Sequence, residues 1–163
     1  MINNPGPDSE DQQSDENPEQ RRSQYESPVG ILETAIYCED LCVAGEFYER
    51  IVGLTLHSHE PDRHRFYRLR DGMLLVFQPS TTQNATVHIG DACVPKHGAL
   101  GEGHIAFAVE ASQLQPIRDR LAEFDIPIES EITWPTGGHS IYCRDPSNNS
   151  VEFATRSLWF KET

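Results

Sequence analysis

The sequence predicts an α+β fold built from two tandem βαβββ modules whose curved mixed sheets form a cup-shaped site. Three observations carry this reading. A strand–turn–helix pattern occurs at residues 31–54 and again at 103–126. Each copy is followed by three strand-like runs. In each copy the leading strand opens with a polar residue on the face turned away from its helix.

The first copy is "ILETAIYCEDLCVAGEFYERIVGL" (31–54). Leu41, Ala44, Phe47 and Ile51 recur at helical spacing, Asp40 supplies an N-cap, and Gly53 ends the helix. The runs "LTLHSHE", "RHRFYRLR" and "MLLVFQP" follow, the last two joined by Asp71-Gly72, a hairpin signal. Residues 79–102 are rich in turn-forming and small residues and read as the most mobile linker. The second copy is "GHIAFAVEASQLQPIRDRLAEFDI" (103–126), with Leu114, Ile117, Leu121 and Phe124 on its helix. Ser112 and Gln115 have capping-box spacing, and Pro116 falls in the first turn, where its missing N–H is tolerated. The runs "IPIESEITW", "HSIYCRD" and "SVEFATR" complete it. The last two are joined by "DPSNN", which reads as a turn and nothing more.

Alternation then assigns faces. Glu33, Ala35 and Tyr37 share one side of the first strand, and His104, Ala106 and Ala108 share the equivalent side in the second copy. In the last strand Val151 and Phe153 point to the core, leaving Glu152 and Ala154 on the other side. Aligning the copies sets Glu33 opposite His104. Three polar side chains thus lie on faces opposite the cores, flanked by small residues that leave room above the sheet.

Residues 1–28 carry seven Asp/Glu against two Arg and no apolar core of a signal peptide. They read as a disordered acidic tail ahead of a domain at 29–159, divided into module one (31–78), the linker (79–102) and module two (103–156). The net charge of −13 provides no basic stripe for a nucleic-acid backbone, and no apolar run approaches membrane-spanning length. The four cysteines form no CxxC pair. They read as reduced, mostly buried thiols of a cytoplasmic protein.

At "ILETAIYCEDL…FYERIVGL", "GHIAFAV" and "DPSNNSVEFAT" the chain resembles the vicinal oxygen chelate superfamily: glyoxalase I, bleomycin-resistance proteins, fosfomycin-resistance transferases and extradiol dioxygenases. The resemblance spans roughly residues 31–159. It implies a divalent metal cation (Mn, Fe or Zn) held by Glu33, His104 and Glu152, acting on a small vicinal-oxygen substrate in lyase- or isomerase-like chemistry. Imidazole with carboxylates suits such a cation on its own chemistry, leaving sites open for substrate oxygens. The resemblance also implies a homodimer, in some relatives with one site's ligands drawn from two chains. Relatives of the glyoxalase I type add a Glu in the last strand of module one. Here Leu75, or Leu74 in the alternative register, stands in its place, which argues against glyoxalase I activity of the usual kind. A non-catalytic, bleomycin-resistance-like binding protein is the competing reading, and a degenerate subunit contacting partners through its tail is a third.

Further candidates keep two readings each. In the lyase or isomerase reading Glu33, Glu152 or His139 moves the proton, with Glu152 and His139 the catalytic candidates; His139 is otherwise a surface histidine at a loop end. Tyr142 is a substrate donor or a core residue, Tyr37 a wall of the site, and Trp134 a rim contact to substrate or a core residue. "HSHEPDRHR" (57–65) resembles a metal cluster but matches no standard zinc spacing, and a solvated hairpin explains it.

Overall fold

The computed structural model describes residues 27–99 and 101–160, so the acidic tail expected over 1–28 lies almost wholly outside the described residues. The folded unit begins at Leu32. Strand β1 (Glu33–Tyr37) leads into α1 (Leu41–Gly45). Asp40 caps α1 by accepting from the N–H groups of Cys42 and Val43 at 2.8 and 3.1 Å. From Glu46 to Val52 the helix continues in wider π-type turns, which buries Tyr48 together with Phe47 and Ile51. Gly45 sits where the change begins, and a Cβ there would lie 2.7 Å from the Arg65 guanidinium carbon. Gly53 ends the run in the left-handed region at φ 85°.

Strands β2 (Thr55–Glu60), β3 (His64–Arg68) and β4 (Met73–Phe77) complete a four-stranded sheet of order β1-β4-β3-β2, with β1 parallel to β4. The linker is more ordered than its composition predicts. It holds helix α2 (Pro79–Asn84) and a hairpin of β5 (Val87–Ile89) and β6 (Ala92–Val94). Gln78 caps α2 by accepting from Thr81 N–H at 3.2 Å, and glutamine is not among the residues that announce a helix start.

Module two repeats the path with β7 (His104–Val109), α3 (Leu114–Glu123), β8 (Ser130–Thr133), β9 (His139–Arg144) and β10 (Ser150–Thr155). Its sheet order, β7-β10-β9-β8, reproduces that of module one. The capping box expected at Ser112–Gln115 lies two residues earlier. A 3-10 turn, Ala111–Gln113, precedes α3, and Gln113 Oε1 accepts from Glu110 N–H at 2.8 Å.

One buried cluster joins the modules: Phe47, Tyr48, Tyr67 and Leu74 with Phe107, Leu121, Ile141 and Phe153. The helices also meet through two arginines. Arg120 donates to the Ile51 carbonyl at 3.1 Å, and the Arg50 guanidinium lies 4.9 Å over the Phe124 ring. Of the four cysteines, Cys38 and Cys143 are buried but Cys42 and Cys93 are exposed, which corrects the expectation of mostly buried thiols. Cys42 belongs to the solvent side of α1, and Cys93 to the exposed hairpin. No helix among the described residues is long and apolar enough to cross a membrane.

"DPSNN" proves to be more than a turn. Asp145 is buried, and its carboxylate gathers donors from both modules. Oδ1 accepts from the backbone N–H groups of Ser147 and Asn149 at 2.9 and 2.8 Å. Oδ2 accepts from Tyr48 Oη at 2.8 Å, Asn149 Nδ2 at 2.9 Å and Cys38 Sγ at 3.2 Å. Asn149 extends the junction, donating to the Tyr37 carbonyl at 3.1 Å and accepting from Gly103 N–H at 2.7 Å. A buried carboxylate is tolerated only when its lone pairs are filled in this way. Burial first, and then the charge of Asp145, raise both the Cys38 thiol and the Tyr48 phenol above their ordinary values. The same causes push Cys143 up to about 12.

Asp145→Ala leaves donors of both modules unpaired and is expected to cost about 3–5 kcal/mol, read as a lower urea midpoint at pH 7. A second expectation concerns alkaline pH. These thiols and the phenol stay protonated in the fold above the values they adopt unfolded, 9.0 for Cys and 10.0 for Tyr. Stability is therefore complete below about pH 9 and falls as pH rises from there towards 12. Urea midpoints across pH 7–10.5 measure the slope, and Cys143→Ala should reduce it.

Candidate functional site

The open face of the second sheet is assembled by register. In the parallel pair β7–β10, His104 lies beside Ser150, Ala106 beside Glu152 and Ala108 beside Ala154. Across β9, Tyr142 lies opposite Glu152, and Ser140 opposite Ala154. The alternate residues Ile141, Cys143, Val151 and Phe153 belong to the core, so His104, Glu152, Tyr142 and Ser140 share the face turned away from it.

His104 and Glu152 form a pair of unequal exposure. The histidine side chain is 53% exposed and the glutamate 6%, with Nε2 and Oε2 3.3 Å apart. His104 Nδ1 lies 3.2 Å from the Ser150 carbonyl oxygen. A carbonyl only accepts, so Nδ1–H donates to it, and Nε2 faces a carboxylate oxygen. At that spacing either a ring proton or a cation lies between Nε2 and the carboxylate oxygen. The other oxygen, Oε1, accepts from Ser140 Oγ at 2.5 Å, and Ser140 Oγ accepts from Trp134 Nε1 at 2.8 Å. Trp134 thereby spends its N–H on orienting Glu152. Ser140 was invisible to motif reading, though alternation from Tyr142 places it on this face.

Tyr142, whose facing the sequence left open, stacks beside His104 with ring centroids 6.4 Å apart. Burial, followed by the adjacent Glu152 carboxylate, holds its phenol above the ordinary value. His139 belongs to the other parity of β9, with Ile141 and Cys143, on the sheet face turned away from Glu152, not beside it as expected. Its backbone N–H donates to Thr155 Oγ1 at 2.9 Å. Arg144 is committed to Glu129 at 2.7 Å and Glu102 at 3.1 Å, and its guanidinium holds the Glu129 carboxyl below its ordinary range.

Glu33 occupies the matching place on the first sheet. There Glu33 pairs with Met73, Ala35 with Leu75 and Tyr37 with Phe77. Glu152 pairs with the residue two beyond His104, and Leu75 pairs with the residue two beyond Glu33. This resolves the register: Leu75 is the counterpart of Glu152, whereas Leu74 is buried in the core. The face floors a cavity of about 630 Å³ lined by Glu33, Tyr37, Phe66, Leu75 and Phe77 and bounded by linker residues. Tyr37 Oη and His97 Nδ1 lie 2.7 Å apart at its rim. His64 stacks on Phe66 at 4.0 Å, and burial lowers its pKa, favouring the neutral ring.

Glu33 and the His104–Glu152 pair thus lie on separate sheet faces, each opposite the shared core. Among the described residues no three His, Cys, Asp or Glu side chains are grouped to hold a metal. This includes "HSHEPDRHR", where Asp62 takes the turn at φ 61° and Glu60 pairs with Arg63 at 3.0 Å. A second hollow, of about 760 Å³, lies between that turn and the start of α1, and among the described residues its acids and histidines are not grouped in threes that could hold a metal.

A family model described as the Glyoxalase/Bleomycin resistance protein/Dioxygenase superfamily matches residues 30–153. Among solved structures, a lactoylglutathione lyase from Agrobacterium tumefaciens is 34% identical, with a TM-score of 0.76. That match covers 83% of this chain and 100% of the other. A glyoxalase/bleomycin resistance protein/dioxygenase from Nocardioides is 19% identical, with a TM-score of 0.63 over 89% of this chain and 95% of that one. The fosfomycin resistance protein FosX from Mesorhizobium loti is 17% identical, with a TM-score of 0.56 over 79% and 93%. The latter two show the fold alone. No curated protein matches the chain.

Glu152→Gln removes the charge beside Tyr142 but leaves the phenol's burial unchanged. In metal-free protein the Tyr142 pKa should fall while remaining above 10.0, as followed by ultraviolet titration against a Tyr142→Phe blank.

Proposed function

Because this chain belongs to the glyoxalase/bleomycin resistance protein/dioxygenase superfamily, we propose that it is a divalent-metal-dependent enzyme of lyase or isomerase type. Its substrate is a small molecule presenting vicinal oxygens. His104 and Glu152 of one chain would hold the cation, and Glu33 of a second copy would complete the set. The observation that carries this reading is the facing of His104 Nε2 and Glu152 Oε2 at 3.3 Å, with Nδ1–H committed to a backbone carbonyl. A ligating histidine usually donates its other N–H in this way. The donor set fits Mn²⁺, Fe²⁺ or Zn²⁺.

The second copy is invoked because Glu33 and the His104–Glu152 pair lie on different faces of one chain, and a pairing of copies brings such faces together without disturbing the core. Bound there, the cation would act as a Lewis acid on a substrate carbonyl, acidifying the adjacent C–H. Trp134 and Ser140 fix the Glu152 carboxylate. Tyr142, kept protonated, donates to a substrate oxygen. Glu33, the more exposed of the two carboxylates, moves the proton. Similarity to a lactoylglutathione lyase supports lyase chemistry, while Leu75 in place of a second carboxylate sets the site apart from the glyoxalase I pattern. The apolar cavity over Leu75 favours the competing binding-protein reading, in which no metal is required.

Metal analysis of protein purified without chelator is expected to give near-stoichiometric metal that is lost in His104→Ala. Ser140→Ala should weaken metal affinity by about 10–100-fold. Refolding a mixture of Glu33→Ala and His104→Ala chains tests the sharing of ligands. Mixed pairs regain one intact site if ligands come from two copies, and regain none if they come from one. Wild type that neither carries nor takes up metal leaves the binding-protein reading in its place.

A further inference from the structure

We propose that the cavity over the first sheet selects an elongated amphipathic anion, with its apolar body on Phe66, Leu75 and Phe77 and its charge at Lys96. This deepens the reading above, since it assigns a substrate class to the site that Glu33 is taken to serve.

The chain has a net charge of −13, and its cations are almost all arginine, with only two lysines, Lys96 and Lys161. Many of the arginines are committed: Arg50, Arg63, Arg65, Arg70, Arg118 and Arg144 all sit in ion pairs. Lys96 lines the cavity and has no ion-pair partner among the described residues. An ammonium on a flexible stem at an apolar cavity, in an acidic protein, attracts anionic ligands and disfavours cationic ones.

Length follows from the strand. Glu33 and Tyr37 bracket the β1 edge of the floor, four residues or about 13 Å apart. Lys96 adjoins His97, which is bonded to Tyr37, so the ammonium's backbone lies at the end remote from Glu33. Glu33 repels an anion at its own end. A ligand satisfying both ends therefore carries its metal-binding oxygens near Glu33, an apolar middle and a distal anionic group. The second cation on the wall, Arg63, is neutralised by Glu60 at 3.0 Å, which leaves Lys96 as the discriminating charge.

The test uses 4-phenylbutyrate and 4-phenylbutan-1-ol, of equal apolar body, titrated by calorimetry into the full chain at low salt. The acid is expected to bind about 10-fold or more tightly than the alcohol, with the margin shrinking as salt rises. Lys96→Met should erase the margin and Lys96→Arg should keep it. Lys96 is exposed, so both variants retain the fold, which circular dichroism verifies. Equal binding of acid and alcohol, no binding of either, or a margin that survives Lys96→Met overturns the proposal. Metal analysis separates the two readings: a wild type that holds no metal but keeps the acid preference removes the metal site alone, while metal that is present in the wild type and lost in His104→Ala, without any acid preference, removes this proposal alone.

Discussion

The junction at Asp145 is the constraint on which the rest of the structure depends. Two modules with the same topology present two independent sheets, and nothing in their repeated pattern fixes how one sits against the other. The buried carboxylate does so by demanding donors. It takes two backbone N–H groups from its own loop, and from module one it takes the hydroxyl of Tyr48 and the thiol of Cys38. Unfilled, those lone pairs would be costly, so the modules settle where the donors converge. The π-type turns of Glu46–Val52 belong to the same constraint, since Tyr48 lies within the wider run and is buried beside Phe47 and Tyr67.

With the helices directed into one core, both open sheet faces lie opposite it. The polar residues there are positioned by strand parity alone. Each face then develops a different character. The second carries a fixed imidazole–carboxylate pair held by hydrogen bonds at both ends. The first carries a lone carboxylate at the margin of an apolar hollow.

Much of this was legible from the residues. Period-2 alternation placed Glu33, His104 and Glu152 on open faces, because a one-residue slip would have exposed Ile36, Phe107 or Phe153. Helical spacing and the Asp40 cap located α1. What escaped had physical reasons. Alternation within a strand says nothing of how one sheet faces another, so the separation of Glu33 from His104 and Glu152 could not be read. The role of Asp145 was hidden because its partners Tyr48 and Cys38 are remote in sequence and its own loop has ordinary turn composition. The linker's helix was missed because its cap is glutamine. The fold of the superfamily also leaves its chemistry open, since the site residues decide that.

The linker supplies a wall of the hollow over the first sheet, yet among the described residues its hairpin of β5 and β6 contributes nothing to the hydrophobic core. Substitutions, insertions and deletions in that exposed hairpin therefore reshape the ligand surface at little cost in stability. A protein with a margin of only about 5–15 kcal/mol can explore new ligands there without first acquiring stabilising mutations elsewhere. In this chain the capacity to evolve specificity is physically separated from the capacity to fold.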